Sequence, residues 1–162
     1  MSETTLRQPP RGWKAFFWRA PIFFYRAGLG WMLGKRFLLL NHIGRKSGLP
    51  RQAVLEVIHH TDDAYFVASG FGEKSHWFQN ILHTPDVNIQ VGRRKMAAHA
   101  ERLPSPKAKE ILQTYAEKHP AALRELMKVI GLTYDGSEAD LEKIATLLPL
   151  VKFSVKDRLQ KS

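Results

Sequence analysis

The sequence predicts an α+β domain built around a barrel-like antiparallel sheet. Three observations lead there. Between Phe37 and Leu103, short apolar runs are separated by glycine-bearing or acidic turns. From Ser105 onward, apolar residues recur at helical spacing, and a last apolar run, Leu150–Val155, follows Pro149. Strands joined by hairpins, with the helices gathered later, favour such a domain over a parallel sheet, which needs a crossover between every pair of strands. A chain of 162 residues suits one such domain, expected over 37–162, preceded by a segment of different character, 1–36.

That segment is dense in aromatics (Trp13, Phe16, Phe17, Trp18, Phe23, Phe24, Tyr25, Trp31) and carries Lys14, Arg19, Arg26 and Lys35. Arg19 and Arg26 interrupt every window long enough to span a bilayer, and Pro21 bends or splits a helix there. Two readings of a helix over 11–36 stand open: an interfacial helix on an anionic membrane surface, or a helix packing its aromatics onto the domain's own core.

The domain opens with a strand, Phe37–Ile43, a turn, Gly44–Gly48, and a second strand, Gln52–His60. Asp62 and Asp63 close a hairpin into Ala64–Ser69. A glycine-bearing loop, Phe71–Lys74, leads to Ser75, the expected N-cap of a short helix through Leu82 that Pro85 stops. Val87, Ile89 and Val91 alternate with Asn88 and Gln90, so this strand has one wet face. Gly92–Lys95 turns it back into Met96–Leu103. Three helices then follow, starting at Ser105-Pro106, after Pro120, and at Ser137, with Asp140 as its capping partner.

Cysteine is absent, which excludes disulfides, thiolate chemistry and cysteine-bound zinc and fits a reducing, cytoplasmic interior. No secretory leader is expected, because Met1–Pro10 is polar and proline-bearing. The formal charge is +10, and it is unevenly placed: ten Lys or Arg precede Gln52, against Glu3 alone. The first third therefore calls for an anionic partner, whether a phosphorylated cofactor, a lipid surface at the inner face of a membrane, or nucleic acid. Nucleic acid ranks last, since the aromatics lie in a helical segment and no docking motif is present.

The stretch Leu40-Asn-His-Ile-Gly-Arg-Lys-Ser-Gly-Leu-Pro-Arg51 concentrates the candidate chemistry. Two glycines free the backbone, Ser47 offers a hydroxyl, and Arg45, Lys46 and Arg51 place three cations around one turn. Phosphates and carboxylates are bound by that combination of exposed amides and clustered charge. The spacing is neither a Walker loop nor a Rossmann fingerprint.

This Gly-Arg-Lys-Ser-Gly-x-Pro-Arg pattern between apolar strands resembles the signature of the deazaflavin-dependent nitroreductase family. So do Val67-Ala-Ser-Gly70, His76-Trp-Phe-Gln-Asn80 and Thr84–Val91, in order and at compatible spacing over Leu38–Leu103. The resemblance implies a split β-barrel, antiparallel and FMN-binding-like, with flanking helices, and a hydride-transferring oxidoreductase using coenzyme F-420 (8-hydroxy-5-deazaflavin). Carried onto this chain, it implies that Arg45, Lys46, Ser47 and Arg51 hold the cofactor's phosphate and acidic tail. Val54, Val67, Ala68 and Ser69 would line its ring and linker, and His76, Trp77 and Asn80 would close the site. Gly70 stands where the family's nitroreductases often have lysine, Glu56 replaces an aromatic, and the loop Phe71–Lys74 is short. These departures leave the acceptor open among enones, quinones and nitro compounds. FMN remains an alternative cofactor, and a non-catalytic membrane-associated binder an alternative function.

The histidines suggest no metal site. His59 and His60 are adjacent on a strand and point to opposite faces, and no pair has helical i, i+4 spacing. No hydrolase triad is legible. The catalytic residues stay unassigned, with Tyr115, Tyr134 and His76 as candidate proton donors beside bulk water.

Overall fold

The computed structural model describes residues 34–156. Six strands form a closed antiparallel barrel: β1 Phe37–Ile43, β2 Pro50–His60, β3 Ala64–Ala68, β4 Asp86–Val91, β5 Arg94–Arg102 and β6 Leu150–Val155, in the order β1-β2-β3-β6-β5-β4 with β4 returning to β1. Helix α1, His76–His83, lies between β3 and β4, after a 3₁₀ turn at Gly72–Lys74. Helices α2 (Ser105–Lys118), α3 (Pro120–Ile130) and α4 (Glu138–Leu147) fill the connection from β5 to β6. The α+β barrel architecture expected from the sequence is the one that forms. The helix expected over 11–36 lies outside the described residues except for its last three, which turn into β1.

Side-chain alternation produces two cores. Leu38, Leu40, Leu55, Val67, Ile89, Ala98, Val151 and Phe153 fill the barrel, and α1 contributes Phe78 and Ile81. On the opposite face, Ile58, Ala64, Phe66 and Leu150 pack against Leu112, Leu123, Met127, Leu141, Ile144 and Leu148 of the helical layer. Strand β3 is therefore buried on both sides, which accounts for its unbroken apolar sequence. A register shift between Val57 and His59 brings His59 opposite Phe66, so Ile58 and His59 both serve the helical side.

Several boundaries differ from the sequence reading. Strand β2 begins at Pro50, paired with Ile43, because proline is tolerated at the first residue of a strand. The β4–β5 turn is only Gly92-Arg93; Gly92 has φ +58°, Val91 pairs with Arg94, and Arg94 and Lys95 belong to the ladder. Ser137 caps α4 as expected, its hydroxyl accepting from Asp140 N at 3.1 Å. Ser75 occupies the N-cap of α1 without capping it, because its hydroxyl is bonded to Ser69 Oγ at 2.9 Å.

Candidate functional site

The turn between β1 and β2 is held by its own backbone. Gly44 N donates to Leu49 O at 2.9 Å, Gly48 N donates to Gly44 O at 2.8 Å, and Leu49 N donates to Ser47 Oγ at 3.2 Å. Gly48 has φ +68°, a conformation that L residues adopt only with strain. Gly44 sits where Ser47 and Arg51 converge: a Cβ there would lie 2.6 Å from Ser47 Oγ and 3.7 Å from Arg51 Nε. The turn thus brings Ser47 and Arg51 together beside Gly44, with Arg45 and Lys46 between Gly44 and Ser47 in the chain. Lys46, Ser47 and Arg51 are exposed and Arg45 is half-buried. Among the described residues no carboxylate pairs with Arg45, Lys46 or Arg51; the ion pairs lie elsewhere, as in Arg36–Glu56, Lys109–Glu138 and Lys128–Glu125. Three cations without carboxylate partners among the described residues thus cluster on one tight turn.

Behind the turn, Asn80 of α1 is buried and ties two elements together. Its Oδ1 accepts from Arg45 N at 3.1 Å and from Arg45 Nη1 at 2.9 Å, while its Nδ2 lies 3.1 Å from His42 Nδ1. Burial, reinforced by the nearby Arg51 guanidinium, pushes the His42 imidazole down to about 4, so it is neutral at pH 7. The sequence reading passed over His42. The signal was available in the alternation of β1, which puts His42 on the barrel face with Leu38 and Leu40.

The other expected site residues divide. Val54 lies half-buried on the outer face of β2, beside Leu39 of β1 in the ladder. Trp77 is half-buried against the barrel cluster, edge-on to Phe78, and His76 is exposed at the start of α1. Val67 is fully buried, its side chain within the barrel cluster. Ala68 packs against the helical cluster. Ser69 is also fully buried, its hydroxyl bonded to Gly72 O at 2.7 Å and to Ser75 Oγ, which shapes the loop instead of facing a ligand. Asn80 reaches inward to His42 and Arg45. The structure therefore gathers Arg45, Lys46, Ser47, Arg51 and Asn80 at the turn, buries Val67 and Ser69, and leaves Ala68 half-buried against the helical cluster.

Two of the candidate proton donors, Tyr115 and Tyr134, belong to the helical layer, whereas His76 starts the helix that carries Asn80. Tyr115 is buried in the helical layer, where burial and then the Glu56 carboxylate raise its phenol above the ordinary range. Tyr134 is half-buried against the same layer. Glu56, one of the departures from the nitroreductase pattern, faces Arg36 at 3.7 Å. A cavity of about 290 Å³ lies between α2 and α4, lined by Ser105, Lys109, Glu142 and Thr146, remote from the turn in the fold. Among the described residues no three of His, Asp and Glu are grouped as metal ligands would be, and no helix is long and apolar enough to cross a membrane.

Comparison with known proteins identifies the lineage. The model of the F420H(2)-dependent quinone reductase family matches residues 23–129, a span that includes the basic turn, α1 and most of the barrel. The chain belongs to that family. A relative in Mycobacterium tuberculosis strain H37Rv, Rv3178, named as a candidate F420H(2)-dependent quinone reductase, is 35% identical over 77 residues, or 46% of this chain; the chain spans 65% of that relative's length. Among solved structures, the F420-H2 dependent reductase FDR-A has a TM-score of 0.52 at 19% identity, covering 75% of this chain and 96% of its own. Rv2991 of Mycobacterium tuberculosis gives 0.53 at 14% identity, covering 81% and 80%. The heme storage protein HutZ of Vibrio cholerae gives 0.52 at 12% identity, covering 78% and 86%. Likenesses at such low identity concern the split β-barrel fold alone. The deazaflavin-family resemblance read from the basic turn agrees with the family assignment, although the family carries the name of quinone reductases, not nitroreductases.

Proposed function

We propose that this family member is a coenzyme F-420-dependent oxidoreductase that reduces a quinone or another electron-poor acceptor, such as an enone or nitro compound. The observation that carries the reading is the turn Gly44–Gly48 with Arg45, Lys46 and Arg51, three cations without carboxylate partners among the described residues. A phosphorylated, carboxylate-bearing cofactor tail fits that donor set, and Ser47 adds a hydroxyl at the same point. Arg45, Lys46, Ser47 and Arg51 would hold the tail, with Val54 and Trp77 as the apolar surfaces available to a ring.

When bound, the coenzyme supplies a hydride, and a proton from solvent completes the reduction of the acceptor. The protein's own task is then to bind, orient and exclude water. Segment 11–36 extends the reading: its aromatic and basic composition suits an anionic membrane surface, where a lipid-soluble quinone would be met.

Fluorescence titration with coenzyme F-420 and, separately, FMN tests the proposal. Saturable binding of F-420, clearly tighter than FMN, is expected. Replacing Arg45 and Lys46 with Ala should weaken it by about 1–3 kcal/mol per charge-assisted contact, with the fold intact. Stoichiometric FMN with no response to F-420 would transfer the chain to flavin chemistry, and an unaffected double variant would remove the turn from the site.

A further inference from the structure

The hydrogen bonds behind the basic turn have a direction. Arg45 presents two donors, its backbone N and Nη1, and both go to Asn80 Oδ1, at 3.1 and 2.9 Å. An amide oxygen has two lone pairs, so this pairing uses its full acceptor capacity and fixes which end of the Asn80 amide faces the turn. The NH₂ end must then face His42, and Nδ2 sits 3.1 Å from His42 Nδ1. A donor faces that nitrogen, so Nδ1 must be an acceptor: His42 is neutral and carries its proton on Nε2. With Nδ1 protonated, two donors would oppose each other. The amide could relieve that only by turning its NH₂ toward the two Arg45 donors, which would cost both bonds.

We propose that His42 is the positioning residue of the anion site: through Asn80 it fixes the Arg45 side chain and backbone in the orientation that receives the cofactor's acidic tail. The inference rests on the reading of the turn given above and adds to it a residue that does not touch the ligand. Position supports the role. His42 and Asn80 are both buried, 5% and 4% exposed, whereas the arginine they hold is half-buried at the surface. Strand β1 and helix α1, both packed by the barrel core, thereby anchor a side chain of a loop that lacks such packing itself. In the ladder, His42 also stands opposite Arg51, so it neighbours both arginines of the turn, one through the strand pairing and one through Asn80.

Two measurements test the role on the full chain. Long-range ¹H–¹⁵N correlation at neutral pH reads the tautomer directly: an unprotonated Nδ1 in His42 is expected, and a proton on Nδ1 would overturn the proposal. Fluorescence titration with coenzyme F-420 supplies the functional arm. His42→Leu keeps the bulk and removes the acceptor, and should weaken binding about tenfold. His42→Gln offers a carbonyl oxygen to Asn80 and should restore most of the affinity. In an Arg45→Ala background, His42→Leu should add less than about twofold, because the arm it positions is gone. An equal loss in both backgrounds, or no loss from His42→Leu in the wild type, refutes the positioning role. Binding that falls for Arg45→Ala but not for His42→Leu refutes His42 alone, whereas a wild-type protein that ignores coenzyme F-420 refutes the functional reading and this role with it. If His42→Leu does not fold, His42→Gln and the tautomer decide.

Discussion

Acid should destabilise this protein through His42 in a measurable window. The imidazole falls from 6.5 in the unfolded chain to about 4 in the fold, first because it is buried and second because Arg51 is near. Between those two values the unfolded chain takes up a proton that the folded chain refuses, so stability is fully present above about pH 6.5 and declines toward pH 4. At about 1.36 kcal/mol per pH unit of difference, the full loss is about 3 kcal/mol, of which about 2.5 kcal/mol is reached by pH 4.5. His42 is 5% exposed, so solvent screening removes little of this. Other groups act in acid as well. His59 is also lowered, mainly by burial, and Asp86 is lowered by its bonds to His99 and Lys156, so its contribution too declines in acid. Comparison with His42→Gln separates them, since glutamine can accept from Asn80 and does not titrate. Urea unfolding of both proteins from pH 7 to 4.5 should show the wild type losing about 2.5 kcal/mol more than the variant. Parallel stability curves would show that His42 is not buried as a neutral acceptor, and the directed network behind the turn would fall with it.

Gly48→Ala should cost about 1–2 kcal/mol in urea unfolding from backbone strain alone, since φ is +68° and no atom crowds the new methyl group. Gly44→Ala should cost less, because Ser47 can swing its hydroxyl away, giving up only the exposed bond from Leu49 N. Asn80→Asp keeps the acceptor for Arg45 but loses the donor to His42, so the His42 pKa followed by NMR should rise well above about 4; an unchanged value would break the assignment of the network. If segment 11–36 lies on membranes, the full chain should sediment with anionic vesicles, release at high salt and ignore neutral vesicles, while indifference to anionic vesicles ends that reading.

The strands were legible because their patterns were simple. β1 opens on an unbroken apolar run, Phe37–Leu40, Val87, Ile89 and Val91 alternate on β4, and β3 is apolar throughout because both of its faces are covered. The basic turn was legible because glycine, serine and three cations have few shared uses in so short a stretch. What motif matching could not give was the direction of side chains at strand ends. Val67 and Ser69 belong to a motif, and motif matching carries no parity. The pleat sends Val67 inward, and the tight Ser69–Ser75 loop consumes both hydroxyls in holding itself together. The parity of β1 marked His42 as inward, but not its partner Asn80, which is 38 residues away and meets it only when α1 docks on the barrel. Hydrogen-bond partners at that separation are set by tertiary packing, which periodicity cannot report.

Preorganisation makes the two adjacent cations of the turn unequal, although their charges are the same. Arg45 is half-buried, and its backbone N and Nη1 are committed to Asn80; Lys46 is exposed and has no carboxylate partner among the described residues. A guanidinium can spend one nitrogen on Asn80 and still present its remaining donors to an anion as a rigid fork, which a single ammonium cannot do. Arg45→Lys should therefore lose most of the coenzyme F-420 affinity that Arg45→Ala loses, because the substitute must choose between Asn80 and the ligand. Lys46→Arg should bind about as well as the wild type, since that position contributes charge without fixed geometry. The difference should survive moderate salt, which screens the exposed cation more than the half-buried one. Titrations of the two swaps at low and physiological ionic strength provide the measurement. Equal affinities for Arg45→Lys and Lys46→Arg would mean that the turn recognises its ligand by charge alone, and that the scaffold behind Arg45 plays no part in binding.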